Sequence, residues 1–144
     1  PIVTLSREVN SGTHVYFKEK VVQLDDKTSS QEFLPQTLLL SSSQAIVEEV
    51  AINQAAVGYL GMGYISDRTK TLLLGENGRF YLPNTETVHS GQYPLSRPLY
   101  FYTDGEPKGS VKLFIDFALS PAGQQQFEET GFVQLGAVSA EKTQ

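Results

Sequence analysis

The first residues of the chain alternate between apolar and polar positions and then change to a helical spacing. Alternation over residues 2–7 predicts a strand that ends at Arg7, on the same face as Leu5. Residues 10–13 are polar and contain a glycine, which is typical of a helix start, and the positions that follow predict a helix to about Val22. The chain therefore opens with a strand, a glycine-containing turn and a helix.

The next segment carries fewer signals. Residues 23–40 predict a long loop or short helical pieces. Ser41 and Gln44 have the spacing of a capping box and predict a helix to about Gln54. Three glycines interrupt the apolar run over residues 56–65, which indicates a buried strand that a neighbouring element approaches closely.

The second half of the chain is marked by turn and helix signals. Asn77-Gly78 between two short apolar runs predicts a hairpin. From Gly109, apolar residues recur with helical spacing and predict a helix with a buried apolar face. Ser120-Pro121 predicts the start of a second helix, which Gly131 stops. The other predicted elements are a short helix over residues 86–90, an extended connector over residues 93–98 and a strand over residues 99–103.

This alternation of strands and helices predicts an α/β fold. A length of 144 residues fits one compact unit or a large piece of a bigger one. Hydrophobic residues make up 40% of the chain, which supplies a core and excludes a fully disordered protein.

The charge and the residue types exclude several classes of function. Eleven basic and sixteen acidic residues give a net charge of −5 without a basic cluster, which argues against a nucleic-acid partner. The chain has no cysteine, and His14 and His89 lack a metal-ligand spacing, so the sequence predicts neither a metal site nor a cofactor. The usual hydrolase and P-loop motifs are also missing, and we expect the protein not to be an enzyme.

One stretch has the residue types of an anion site. Arg7 ends the first predicted strand, and Ser11, Gly12 and Thr13 begin the helix that follows. The first turn of a helix has backbone N–H groups without partners, and a guanidinium adds a planar cation. The alternative is an ordinary serine cap with Arg7 in a surface ion pair.

Two further candidates have simpler interpretations. The spacing of Gly58, Gly61 and Gly63 is similar to a dinucleotide fingerprint, but tight strand packing is the favoured interpretation. His14, in the first turn of the helix, could contact a ligand, but we expect it to be exposed to solvent.

Several motifs together resemble the phosphate-binding proteins of ABC transporters. The order and spacing of these motifs match over nearly the whole chain, and the Tyr-Pro-x-x-Arg-Pro-Leu and Ser-x-x-Gly-Gln motifs are fairly specific together. They are Arg7-x-x-x-Ser11-Gly12-Thr13, the run from Tyr93 to Tyr100 with its Tyr-Pro-x-x-Arg-Pro-Leu pattern, Ser120-x-x-Gly123-Gln124, Ala56 to Tyr59, and Gly131-Phe132-Val133.

The resemblance implies one lobe of a type II periplasmic-binding-protein-like fold, with a mixed sheet flanked by helices. It implies that residues 1–96 form the second of two lobes. Residues 97–144 would form a return strand and C-terminal helices that partly belong to the other lobe. It also implies that Arg7, Ser11, Gly12 and Thr13 bind phosphate.

The implied role is phosphate uptake outside the cytoplasm, periplasmic or membrane-anchored, with delivery to an ABC transporter permease. The alternatives are another tetrahedral oxyanion (sulfate, molybdate or tungstate), a phosphate-ester hydrolase with Ser11 as nucleophile and His14 as base, or a protein-interaction module. If the other lobe is absent, apolar residues such as Phe114, Ile115 and Phe117 lack cover and predict a homodimer.

Overall fold

The computed structural model describes residues 1–136, and the chain divides into two compact units. The first is Pro1–Leu72 and the second begins at Leu73. The first unit contains β1 (Val3–Arg7), α1 (Gly12–Phe17) with a π-helical turn (Lys18–Val22), β2 (Leu38–Leu40), α2 (Ser43–Ile52), β3 (Ala56–Val57) and a 3-10 turn (Met62–Tyr64). The second contains β4 (Leu74–Glu76), β5 (Arg79–Tyr81), α3 (Thr85–His89), α4 (Gly109–Leu119) and α5 (Pro121–Glu129). The predicted α/β class is confirmed.

The first unit is built on a three-stranded parallel sheet in the order β2-β1-β3. Alternation along β1 directs Leu5 towards α2, where it is buried with Ile46 and Val47. Gly58 follows β3, and a Cβ at this position would lie 2.6 Å from the Ile46 Cγ2 atom. The predicted close approach is therefore present, and it allows α2 to pack directly against the sheet.

Three local predictions in the first unit were wrong. Residues 38–40 form a strand and not a loop, because β2 exists through parallel pairing with β1, a non-local contact without a local pattern. Ser42, not Ser41, caps α2, since its Oγ accepts a hydrogen bond from the Ala45 N–H at 3.0 Å. The strand predicted over residues 56–65 has only two residues, and Met62–Tyr64 is a 3-10 turn rather than the helix of a dinucleotide site.

The second unit follows its turn signals. Asn77 and Gly78 have φ values of 52° and 78° and join β4 to β5 in an antiparallel hairpin, as predicted. α4 and α5 also form where predicted, and the Ser120 Oγ accepts a hydrogen bond from the Gly123 N–H at 3.2 Å to cap α5.

Two expectations for the second unit were wrong. Residues 99–103 form no strand, and Tyr102 in this segment is 90% exposed. Ala118 is buried on α4, but Phe114 on the same predicted apolar face is 61% exposed. A strand forms only where a second strand pairs with it, and an apolar helix face is buried only where another element packs on it. Local sequence patterns predict neither of these contacts. The predicted homodimer through this face stays a prediction.

The predicted lobe boundary at residue 96 also stays a prediction. The boundary between the two compact units falls between Leu72 and Leu73 in the sequence. It reflects contacts within this chain and does not test a lobe boundary in a longer protein. Residues 137–144 of the predicted C-terminal segment lie outside the described residues.

Candidate anion-binding site

The parallel sheet brings two helix starts to one edge. Arg7, the last residue of β1, is paired with Leu40, the last residue of β2. α1 and α2 begin a few residues beyond these strand ends. The carboxyl edge of a parallel sheet is where α/β folds bind ligands, so this edge is the place to look for a site.

The two helices lie on opposite faces of β1. Leu5 and Arg7 face α2, while Ser6 between them faces α1. The hydrogen bonds show this directly, since the Arg7 side chain reaches Ser43 in α2 and the Ser6 side chain reaches His14 in α1. The end of β1 therefore connects both helix starts.

The Arg7 guanidinium is held by the loop that enters α2. Nη1 donates to the Ser43 Oγ atom at 3.0 Å, and Nη2 donates to the Ser41 carbonyl oxygen at 3.0 Å. Arg7 Nε is buried and has no hydrogen-bond partner among residues 1–136. Within residues 1–136 the structure contains no ion pair of Arg7, whereas the serine cap of the alternative is present at Ser11. Because a guanidinium donates five hydrogen bonds, the Nε–H and further Nη hydrogens remain for another acceptor.

Ser11, Gly12 and Thr13 form the start of α1, as predicted. Ser11 is the N-cap, and its Oγ accepts a hydrogen bond from the Thr13 N–H at 3.2 Å. Gly12, the first residue of the helix, is exposed, and its N–H has no acceptor within a helix. The turn is therefore accessible, although the Thr13 amide is already used by the cap.

These four residues share the sheet edge without forming one closed cluster. The side-chain hydrogen bonds of Arg7 go to the α2 side, and Ser11 to Thr13 lie at the start of α1. The Arg7 backbone joins the two, because its carbonyl oxygen lies 2.9 Å from His14 Nδ1.

A buried polar cluster lies behind the edge. The fully buried Ser6 Oγ atom lies 2.6 Å from the Tyr59 hydroxyl oxygen and 3.0 Å from His14 Nδ1, and it donates to the Arg7 carbonyl oxygen at 3.0 Å. A carbonyl oxygen only accepts, so His14 Nδ1 carries a hydrogen in its contact with Arg7. The cluster satisfies the buried polar groups and fixes the end of β1.

The expectation that His14 is exposed was wrong, because it is only 6% exposed. Its ring packs against Phe33, with 4.8 Å between ring centroids, and its Nδ1 faces β1. This Nδ1 is a donor in the contact with Arg7.

Tyr59 closes the other side of the cluster. Its ring stacks on Phe17, with 3.8 Å between centroids. Burial raises the pKa of the Tyr59 phenol, and the hydrogen bond with Ser6 partly opposes this rise. The phenol is therefore neutral at physiological pH and able to donate to Ser6.

Sequence reasoning missed Ser6, Ser43 and Tyr59. Ser6 did carry a signal, because a polar residue within a buried strand requires a hydrogen-bond partner. Ser43 carried none, since it is one of three consecutive serines and nothing local separates it from the other two.

Comparison with known proteins identifies the family of this chain. Residues 1–122 match the model of the PBP superfamily domain. The chain belongs to the PBP superfamily. The candidate site lies at the carboxyl edge of the parallel sheet, where open α/β sheets in general bind ligands.

The relatives of this chain include named phosphate-binding proteins. The phosphate-binding protein PstS of Pseudomonas aeruginosa is 32% identical over 99% of this chain and 44% of its own length. PstS of Borreliella burgdorferi is 29% identical over 90% of this chain and 47% of its own length. The chain thus spans about half the length of the curated relatives it matches.

Solved structures show the same similarity. A phosphate-binding protein of a phosphate ABC transporter from Streptococcus pneumoniae superposes with a TM-score of 0.74 at 26% identity, over 94% of this chain and 52% of that one. A phosphate ABC transporter substrate-binding protein from Clostridium perfringens, solved with bound phosphate, gives a TM-score of 0.69 at 28% identity, over 94% and 53%. The membership therefore rests on both sequence and fold.

Proposed function

We propose that this chain binds inorganic phosphate as part of the solute-binding component of an ABC phosphate uptake system. The observation that carries the proposal is Arg7, whose guanidinium is fixed at the sheet edge with its Nε–H lacking a partner in residues 1–136. The names of the relatives and the phosphate in the Clostridium perfringens structure support the choice of anion.

The proposed ligands are Arg7, Ser11, Gly12 and Thr13. Arg7 supplies the positive charge, and Gly12 supplies a backbone N–H at the positive end of α1. The Ser11 hydroxyl accepts the Thr13 N–H and can donate its own hydrogen, and the Thr13 hydroxyl is a further donor.

The names of the relatives support a wider role. The chain acts as the second lobe of a two-lobed protein, with residues 1–96 in that lobe and residues 97–144 returning to the other. It works outside the cytoplasm, passes phosphate to a membrane permease and catalyses no reaction. None of the helices in residues 1–136 has the length and apolar character that a membrane span requires.

A half site of this kind binds weakly. Four donor contacts contribute about 1.5–3 kcal/mol each. Immobilising the ligand costs at least about 4 kcal/mol. The net of about 2–8 kcal/mol corresponds to a dissociation constant between millimolar or weaker and about micromolar.

Calorimetric titration of the chain with inorganic phosphate tests the proposal. We expect Arg7→Ala to weaken binding by about tenfold or more, because a charge-assisted contact is lost. Arg68→Ala is the matched control, since it removes an exposed arginine of the same unit that pairs with Glu48. Equal affinities of wild type and Arg7→Ala would contradict the proposal.

Titration with sulfate addresses the alternative oxyanions. All four proposed ligands act as donors, and recognition of the proton on hydrogen phosphate requires an acceptor. We therefore expect the chain to prefer phosphate over sulfate by less than about a hundredfold. A larger preference would show that an acceptor is missing from the proposed ligand set.

A further inference from the structure

Three consecutive serines enter α2, and each has a different contact. Ser41 contributes its backbone carbonyl oxygen to Arg7 Nη2 at 3.0 Å. Ser42 caps α2 through the Ala45 N–H. Ser43 contributes its side-chain Oγ atom to Arg7 Nη1 at 3.0 Å. The side chain of Ser43 is therefore the one that acts on Arg7.

Ser43 is fixed in its own place. It is 5% exposed and occupies the first position of α2, next to the buried Ile46 and Val47. An acceptor on a packed helix holds its donor more firmly than one on a mobile side chain, because little further freedom is lost.

Two acceptors, one in the β2–α2 loop and one at the start of α2, also restrict the orientation of the guanidinium. Nη1 and Nη2 donate to Ser43 and Ser41, so neither contact uses Arg7 Nε. Nε is buried and has no partner within the described residues, which leaves one oriented donor without an acceptor. With Ser43 removed, a single contact to Ser41 would allow the guanidinium to turn.

We propose that Ser43 is a positioning residue for anion binding, which holds the Arg7 guanidinium so that its remaining donors face an oxyanion at the sheet edge. The inference rests on the proposed function, and it assigns Ser43 to Arg7 and not to the anion itself. Ser43 thus adds a residue from the start of α2 to a site built from β1 and α1.

The first test measures Arg7 directly, without any anion. Hydrogen exchange of the Arg7 Nε–H with water is followed by NMR in the whole chain, with the signal assigned by its loss in Arg7→Lys. We expect Ser43→Ala to accelerate this exchange by about tenfold, because a contact that restricts the guanidinium is lost. Ser41→Ala is the matched control and leaves the exchange unchanged, since Ser41 contributes only its backbone oxygen. Unchanged exchange in Ser43→Ala overturns the proposal.

The second test measures affinity for inorganic phosphate by NMR titration. We expect Ser43→Ala to weaken binding by about tenfold, Ser41→Ala to have no effect, and Ser43→Thr, which retains the hydroxyl, to restore most of the affinity. Wild-type affinity in Ser43→Ala, or equal losses in Ser43→Thr and Ser43→Ala, contradicts a role for the hydroxyl.

The two tests separate this inference from the proposed function. If the wild-type chain does not bind phosphate, the proposed function fails, and the exchange of Arg7 Nε–H still decides whether Ser43 holds the guanidinium. If wild type binds and Ser43→Ala binds equally well, only the inference fails.

Discussion

The two units of the chain differ in the side chains that they bury. In the first unit, the buried polar residues Ser6, His14 and Ser43 all have hydrogen-bond partners, and Leu5, Ile46 and Val47 form a buried apolar core. Large apolar side chains are exposed in both units, and in the second unit Ala118 is the buried hydrophobic residue within the described part. Buried polar networks specify one arrangement, whereas exposed apolar surface indicates a missing contact. The buried polar cluster and the candidate anion site therefore lie in the first unit, where the described residues form the larger buried core.

The largest effect is expected in the core of the first unit. Ile46 is fully buried between α2 and the sheet, so Ile46→Ala should lower the free energy of unfolding by about 2–5 kcal/mol. Urea unfolding followed by far-UV circular dichroism measures this loss. A loss as small as that of an exposed substitution would show that the first unit lacks a packed core.

A smaller effect is expected from the Tyr59 phenol. Its pKa is raised by burial, so the folded state holds the proton more firmly than the unfolded state. Stability is complete below the unfolded pKa of about 10 and falls as the pH rises through the folded value.

Unfolding measured from pH 8 to 11 tests this expectation. Tyr59→Phe should remove the part of the alkaline loss that Tyr59 causes, and Tyr64→Phe, at a tyrosine that is 47% exposed, is the control. An identical alkaline loss in wild type and Tyr59→Phe would contradict the pKa argument.

The smallest effect on stability is expected in the second unit. Phe114 is 61% exposed and contacts Phe101, so Phe114→Ala should cost no more than about 1 kcal/mol. If the apolar face of α4 forms the predicted homodimer, the same substitution weakens self-association. Light scattering that shows only monomers at high concentration would contradict the homodimer.

Local signals predicted the elements that depend on local physics. The Asn77-Gly78 turn, the Ser120-Pro121 helix start and the cap at Ser11 follow from backbone preferences of a few neighbouring residues, and all three are present. The candidate site was found in the same way, because a helix start after an arginine is visible in the sequence.

Non-local contacts determined what the sequence did not predict. β2 forms because it pairs with β1, His14 is buried because Phe33 covers it, and Ser43 matters because Arg7 lies beside it. In each case the partner is at least 19 positions away, so no local pattern could identify it.

The pairing of β1 with β2 links ligand affinity to folding. Arg7 depends on Ser41 and Ser43, which lie 34 and 36 positions later in the sequence. An unfolded chain cannot bring these groups together, so any bound oxyanion stabilises the folded first unit. Phosphate at about a hundred times its dissociation constant would add about 2.7 kcal/mol. A rise in melting temperature with added phosphate would therefore show in a single measurement that Arg7 and the two serines that hold it come together on folding.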